Sequence, residues 1–295
     1  MTTTLTRPAT TSAGSPAPDQ PAPTHALSVR DLHVGDPSTG HDIVRGVSFD
    51  LPRGGVVGVV GESGSGKTLT CRAVLGILPE PFAVTGGSVE VVGRDTATLT
   101  PREWTGLRGS TIAAVFQDPA SYLNPSIPVG RQVAEVLRVK LGLRRRAARE
   151  RSLELLAAVQ LRDPARVWAQ YPFELSGGML QRVLIAAAVA VEPQVLIADE
   201  ATTALDVTVQ AEILDLLAEL RASTGLALVV VSHDLAVVAQ LCTEVLVMRD
   251  GEVVEQGPVS RVLHDPQHDY TRLLVREHEQ YGLERFLGTD GGELR

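Results

Sequence analysis

The run Gly61-Glu62-Ser63-Gly64-Ser65-Gly66-Lys67-Thr68 sets three glycines, an amine and a hydroxyl at the spacing G-x-x-x-x-G-K-[ST]. That spacing is the pattern of a phosphate-binding loop. Glycines let the backbone close tightly around phosphate oxygens. Successive N–H groups, from Gly61 through Leu69, and the start of a helix then face the negative charge. Lys67 is expected to reach the β- and γ-phosphates of a nucleoside triphosphate, and the Thr68 hydroxyl to ligate its Mg²⁺.

A loop of this kind needs a carboxylate to organise the metal. Asp199 ends the short apolar run 195–198, where it is expected to orient Mg²⁺ or its waters, and Glu200 follows at once. Side chains alternate along a strand, so the two acids are expected to face different ways. Asp199 then serves the metal, and Glu200 faces the attacking water as general base. Gln117 and His233 each follow an apolar run that reads as a strand, and in open α/β sheets ligands bind outside the strand C-termini. Gln117 is expected to bridge metal and water through its amide, which makes Thr68, Gln117 and Asp199 the metal set. His233 is expected to hydrogen-bond the γ-phosphate. Ser176, Gly177 and Gly178 open an apolar helix and form a second anion cradle from N–H groups and helix dipole. One nucleotide does not need two cradles, so the economical expectation is that the second serves a γ-phosphate held by another subunit.

These groups need a framework to hold them. Residues 56–60 form an apolar, β-branched run that reads as a buried strand before the loop, and residues 69–78 read as a helix stopped by Pro79. Further strands are predicted at 26–34, 47–51, 88–92, 111–116, 195–198 and 226–231, with a hairpin turning at Asp250-Gly251. Helices are predicted at 133–143, 147–161, 179–191, 208–224, 259–263 and from 270 onward. Short apolar strands alternating with helices predict an α/β fold with a mostly parallel sheet. The block from about 118 to 190 reads as a helical subdomain inserted into that core, and the run Arg144-Arg145-Arg146 as a solvated helix end.

Composition bounds the rest. A chain of 295 residues, 44% hydrophobic and 21% charged, suits a soluble globular protein of one large domain or two modest ones. A net charge of −8 argues against general nucleic-acid binding. Cys71 and Cys242 sit in apolar helical patterns and read as buried free thiols. Neither a membrane-spanning run nor a secretory signal is expected, which makes the cytoplasm the default. Residues 1–24, rich in Thr, Pro, Ala and Ser, read as a disordered tail, and 286–295 as a flexible one. His264 and His268 are four apart, but Pro266 lies between them, and no metal site is expected there.

In their order and spacing, these motifs resemble the ATP-binding subunits of ABC transporters over residues 27–283. In that family Gly61 to Thr68 is the Walker A motif, Gln117 the Q-loop residue and Leu175 to Gln181 the signature. Val195 to Asp199 with the catalytic Glu200 is Walker B, Ala204-Leu205-Asp206 the D-loop, and His233 the H-loop residue. The resemblance implies a P-loop NTPase (RecA-like) core with an antiparallel β subdomain and an inserted helical subdomain, spanning residues 25–285. It implies Mg²⁺-dependent ATP hydrolysis at the cytoplasmic face of the membrane. It also implies two ATP-binding chains closing head to tail, expected here as a heterodimer, with integral membrane permease subunits and, indirectly, an extracytoplasmic solute-binding protein. Within the family, Phe116-Gln117-Asp118-Pro119 with Leu123-Asn124-Pro125 is similar to the branch importing dipeptides, oligopeptides and nickel. Leu69-Thr70-Cys71, Leu75-Gly76-Ile77-Leu78-Pro79, Tyr171 to Arg182 and the ending Tyr281-Gly282-Leu283 are similar to the nickel import subunit, and the peptide members' cysteine-bearing extension is not seen. Nickel or a metal chelate is therefore the expected cargo, with peptides the alternative and a soluble non-transport ABC ATPase a remote one. Two departures stand out. Residues 32–36 offer no aromatic to stack on adenine, leaving Val34 as the expected apolar neighbour, and Ala201 replaces the usual proline after the catalytic glutamate.

Overall fold

The computed structural model describes residues 24–202 and 205–279. The chain runs β1 (His25–Asp36), β2 (His41–Pro52), β3 (Val56–Val60), α1 (Lys67–Leu75), β4 (Ala83–Val91), β5 (Arg94–Asp95), α2 (Pro101–Leu107) and β6 (Ile112–Val115). It continues through α3 (Val129–Leu141), α4 (Arg145–Ala158), α5 (Pro164–Ala169), α6 (Gly177–Val189), β7 (Val195–Asp199), α7 (Val207–Thr224), β8 (Ala227–Ser232) and α8 (Leu235–Leu241). It ends with β9 (Glu244–Arg249), β10 (Glu252–Pro258), α9 (Val259–His264) and α10 (Asp269–Glu279).

Two sheets result. The larger has the order β10-β9-β3-β8-β7-β6, parallel except for β10, which turns back on β9 at Asp250-Gly251. The smaller, β2-β1-β4-β5, is antiparallel. Strands β3, β7 and β8 are buried at every position, as expected of parallel strands covered on both faces. Their side chains alternate between two cores. Val57, Val59, Val195, Ile197, Val229 and Val231 pack with α1 and the antiparallel sheet. Val56, Val60, Leu196, Ala198, Leu228 and Val230 pack with the helices from α3 onward. Each such side chain contributes about 1.5–3 kcal/mol over leaving it exposed. Both cysteines are buried free thiols, and burial pushes Cys242 up to about 12.

The helical block from α3 to α6 packs through buried side chains such as Val133, Leu137, Leu156 and Val183, with one crowded contact among them. Trp168 donates its indole N–H to the Ser152 hydroxyl at 2.8 Å, and its ring covers Gly130, where a Cβ would meet ring carbon at 2.1 Å. Arg146 pairs with Glu150 at 2.9 Å on the exposed face of α4, the solvated role expected of the basic run.

Several predicted bounds move. Helix α1 ends at Leu75 because Gly76 turns left-handed (φ 62°) and caps it, before Pro79 is reached. Strand β4 begins at Ala83, inside a stretch expected to be loop. Helices α2, α5 and α8 are additional to those expected. The two predicted tails, Ala204 and Tyr281-Gly282-Leu283 lie outside the described residues.

Candidate functional site

The glycine loop leaves β3 at Gly61 and enters α1 at Lys67. Gly64 (φ 85°) and Gly66 (φ 99°) take left-handed conformations that a side chain would strain. The first-turn N–H groups of α1 therefore open onto the loop without intrahelical partners. Lys67, 4% exposed, lies along the loop and donates to the Gly61 carbonyl at 2.7 Å and the Glu62 carbonyl at 2.8 Å. Burial holds its ammonium below the ordinary lysine range, while Glu200 and Asp199 pull the other way. The β9–β10 hairpin backs the loop. Gly251 donates its N–H to the Ser65 carbonyl at 3.1 Å, and the Met248 carbonyl stands where a Cβ on Gly61 would fall. Glu62, Ser63 and Gly64 face solvent, Ser65 and Gly66 are buried, and Leu69 packs into the core beneath.

Register brings the other groups to the same edge. Val60 lies opposite Ser232, Val231 opposite Asp199, and Ala198 opposite Val115. The next residues, Gly61, His233, Glu200 and the Phe116-Gln117 pair, therefore leave the sheet together. Asp199 is 4% exposed and accepts from the Thr68 hydroxyl at 3.3 Å. Burial raises its carboxyl above the usual range. The Thr68 hydrogen bond opposes this, and the neighbouring Glu200 adds to it. A buried carboxylate facing a hydroxyl, with no salt bridge of its own among the described residues, is a donor set that fits a small hard cation such as Mg²⁺.

Glu200 is not placed by strand alternation. It leaves β7 in the left-handed conformation (φ 50°), held by its N–H bond to the Val231 carbonyl at 3.0 Å. A non-glycine residue there stores about 1–3 kcal/mol, a strain that gathers at functional positions. Its carboxylate lies 3.9 Å from the His233 ring and is 20% exposed. His233 itself projects from a tight turn between β8 and α8, in which Asp234 donates its N–H to the Ser232 hydroxyl and caps the helix. Gln117 is exposed and joins neither Thr68 nor Asp199 by a hydrogen bond, so only two of the three expected metal ligands meet. Its neighbours anchor the turn: Phe116 stacks on Tyr122 at 5.0 Å, and Asp118 caps residues Pro119–Tyr122.

The second cradle lies elsewhere. Ser176 caps α6, accepting from the Met179 N–H at 3.4 Å, and Ser176 and Gly177 are exposed. A Cβ on Gly177 would meet only Leu205 at 3.6 Å, whereas one on Gly178 would strike Val209 at 2.6 Å. Gly178 thus has a local packing reason to be glycine, and Gly177 has none. No hydrogen bond among the described residues joins this helix tip to the glycine loop of the same chain. Of the D-loop motif, Asp206 caps α7 through the Val209 N–H at 3.0 Å.

One expectation needs correcting. Val34 is fully buried, paired with Val44 and Val84, and has no face to offer a base. Of the features read as nickel-like in and after α1, Cys71 and Leu75 are each 3% exposed in the core, Gly76 caps the helix against the Trp104 ring, and Ile77 is 40% exposed. Missing from the expectations were the groups behind the loop, Met248, Gly251 and Tyr270; only the Asp-Gly turn signal pointed near them.

Comparison with known proteins agrees with this geometry. The ABC transporter family model matches residues 44–203. The dipeptide transport ATP-binding protein DppD of Escherichia coli (strain K12) is 42% identical over 254 residues, 86% of this chain and 78% of that protein. The oligopeptide transport ATP-binding protein OppD of Bacillus subtilis (strain 168) is 42% identical over 251 residues, 84% of this chain and 70% of that one. The dimeric post-hydrolysis structure of the ATP-binding cassette MJ0796, bound to ADP and Pi, superposes with a TM-score of 0.70 at 28% identity, covering 79% of this chain and 98% of that one. DppD and OppD carry peptide names, and the nickel expectation gains no support from them. With a glycine loop, a buried carboxylate and a strained glutamate gathered at one sheet edge, and with these matches, the chain belongs to the ABC transporter family.

Proposed function

We propose that this chain is the ATP-hydrolysing subunit of an importer of dipeptides or oligopeptides, seated at the cytoplasmic face of the membrane against integral permease subunits. The observation that carries this reading is the 42% identity to DppD over 86% of the chain. Phe173, 76% exposed and stacked on Tyr171, is an apolar pair on the helical block suited to a protein contact.

The site residues take these roles. Backbone N–H groups between Gly61 and Leu69, other than that of Glu62, hold the phosphates, and Lys67 exchanges its carbonyl contacts for the β- and γ-phosphates. Thr68, Asp199 and Gln117 would hold Mg²⁺, which would supply charge neutralisation at the phosphates. Glu200 takes the proton of the attacking water, and His233 hydrogen-bonds the γ-phosphate. Ser176, Gly177 and Gly178 complete the ATP pocket of a second ATPase subunit, a different chain of the same kind, and that chain's equivalent tip completes this one. Closure on ATP and release after hydrolysis bias the permeases between two states, with a solute-binding protein delivering cargo outside.

The test is uptake by cells deleted for this chain. Labelled dipeptide or oligopeptide uptake is expected to fall and to return with the wild-type chain but not with Glu200→Gln, while nickel uptake is unchanged. Loss of nickel uptake with peptide uptake intact would overturn the substrate assignment.

A further inference from the structure

We infer that Tyr270, at the start of the C-terminal helix α10, is a positioning residue for the phosphate-binding loop. The Glu62 N–H donates to the Tyr270 hydroxyl at 2.9 Å, across 208 residues of sequence. The tyrosine is 2% exposed although Glu62 itself faces solvent. Its ring is covered by the Arg249 guanidinium, 4.9 Å above the centroid, from the same hairpin that backs the loop.

The backbone that carries this ring is held from the far side. Glu255 on β10, 8% exposed, accepts from the Gln267 N–H at 2.8 Å and the His268 N–H at 3.0 Å. The His268 ring nitrogen in turn accepts from the Tyr270 N–H at 3.2 Å. Hydrogen bonds and the covalent frames of His268 and Tyr270 together therefore link β10 to the loop by way of the start of α10. His268, set aside as a metal ligand, belongs to this path.

Glu62 is gripped twice, by Tyr270 on its N–H and by Lys67 on its carbonyl at 2.8 Å. The second grip is temporary, because Lys67 cannot hold both loop carbonyls and still engage phosphate with all three donors. When the lysine turns to the nucleotide, the loop loses its internal staple and the Tyr270 contact remains. The hydroxyl then keeps the entry of the loop in its binding geometry, so less ordering remains for the ligand to impose. This rests on the reading that the loop binds ATP.

The experiment compares full-length wild type, Tyr270→Phe and Tyr270→Ala, assembled with the partner subunits, by steady-state ATPase, ATP affinity and thermal melting. Loss of one hydrogen bond to the loop predicts that Tyr270→Phe raises both KM and Kd for ATP roughly fivefold. It leaves kcat within about twofold and lowers Tm by no more than about 4 °C. Tyr270→Ala loses the ring packing as well and melts lower. If phenylalanine restores the melting temperature but not the KM, the hydroxyl positions the loop. If it restores both, or lowers kcat at unchanged KM, the inference is overturned. A wild-type chain that binds no ATP would instead overturn the ATP reading itself.

Discussion

Gly61→Ala and Gly64→Ala form a matched pair that separates backbone strain from collision. Both glycines have positive φ, 151° and 85°, so alanine is strained at each. A Cβ at Gly64 would have nothing within 4 Å, whereas one at Gly61 would lie 2.1 Å from the Met248 carbonyl oxygen and 2.8 Å from the Ser65 hydroxyl. Strain alone costs about 1–2 kcal/mol at Gly64. At Gly61 about 1–3 kcal/mol of strain adds to about 1–3 kcal/mol of overpacking against backbone, for roughly 4 kcal/mol. At about 2–3 °C per kcal/mol for a chain of this size, Gly61→Ala should lower Tm by about 8–12 °C and Gly64→Ala by about 2–6 °C. The assay is thermal unfolding of the two full-length variants beside wild type. Equal melting temperatures for the two would refute the placement of the β9–β10 hairpin against the loop.

Glu200→Gln should lower ATP turnover by about 10²–10⁴-fold while ATP still binds, checked by single-turnover hydrolysis beside equilibrium binding; normal turnover would remove Glu200 as the base. Burial pushes the Glu255 carboxyl up, but the N–H groups of Gln267 and His268 outweigh it and hold it below its ordinary 4.5. A depressed folded value means that its stabilisation is present above about pH 4.5 and is lost as pH falls through the folded value. Glu255→Gln should therefore flatten the acid side of the Tm–pH profile below that point, and a profile parallel to wild type would show that the carboxylate does not titrate with folding.

How much of this was legible in the sequence depends on how local each signal is. The strand at 56–60 coincides with β3 because a β-branched run between glycines has no competing reading. The face Ile213, Leu216, Leu217 and Leu220 of α7 is buried as its spacing requires. Helix α2 carried a signal that went unread: Thr100 and Glu103 form a capping box around Pro101. Alternation does not set the direction of Glu200, because a single left-handed residue ends the period-two rule. Lys67 was expected to point at phosphate, and here it rests on the loop's own carbonyls. The contact of Tyr270 with Glu62 spans 208 residues and follows from no local pattern. Cargo is not legible along the buried part of α1, where Cys71 and Leu75 are core positions.

The central claim is that the exposed tip of α6 acts on a neighbour's nucleotide, and Gly177→Asp tests it most directly. The chain has room for that side chain, since a Cβ at Gly177 meets only Leu205 at an ordinary 3.6 Å, and an acid in the first turn of a helix is favourable to its own fold. The measurement is ATP binding and ATP turnover by the assembled complex carrying Gly177→Asp. The account predicts wild-type melting and wild-type ATP affinity of the mutant chain's own loop, with turnover lost because the new carboxylate repels the γ-phosphate facing it. Turnover equal to wild type would contradict it.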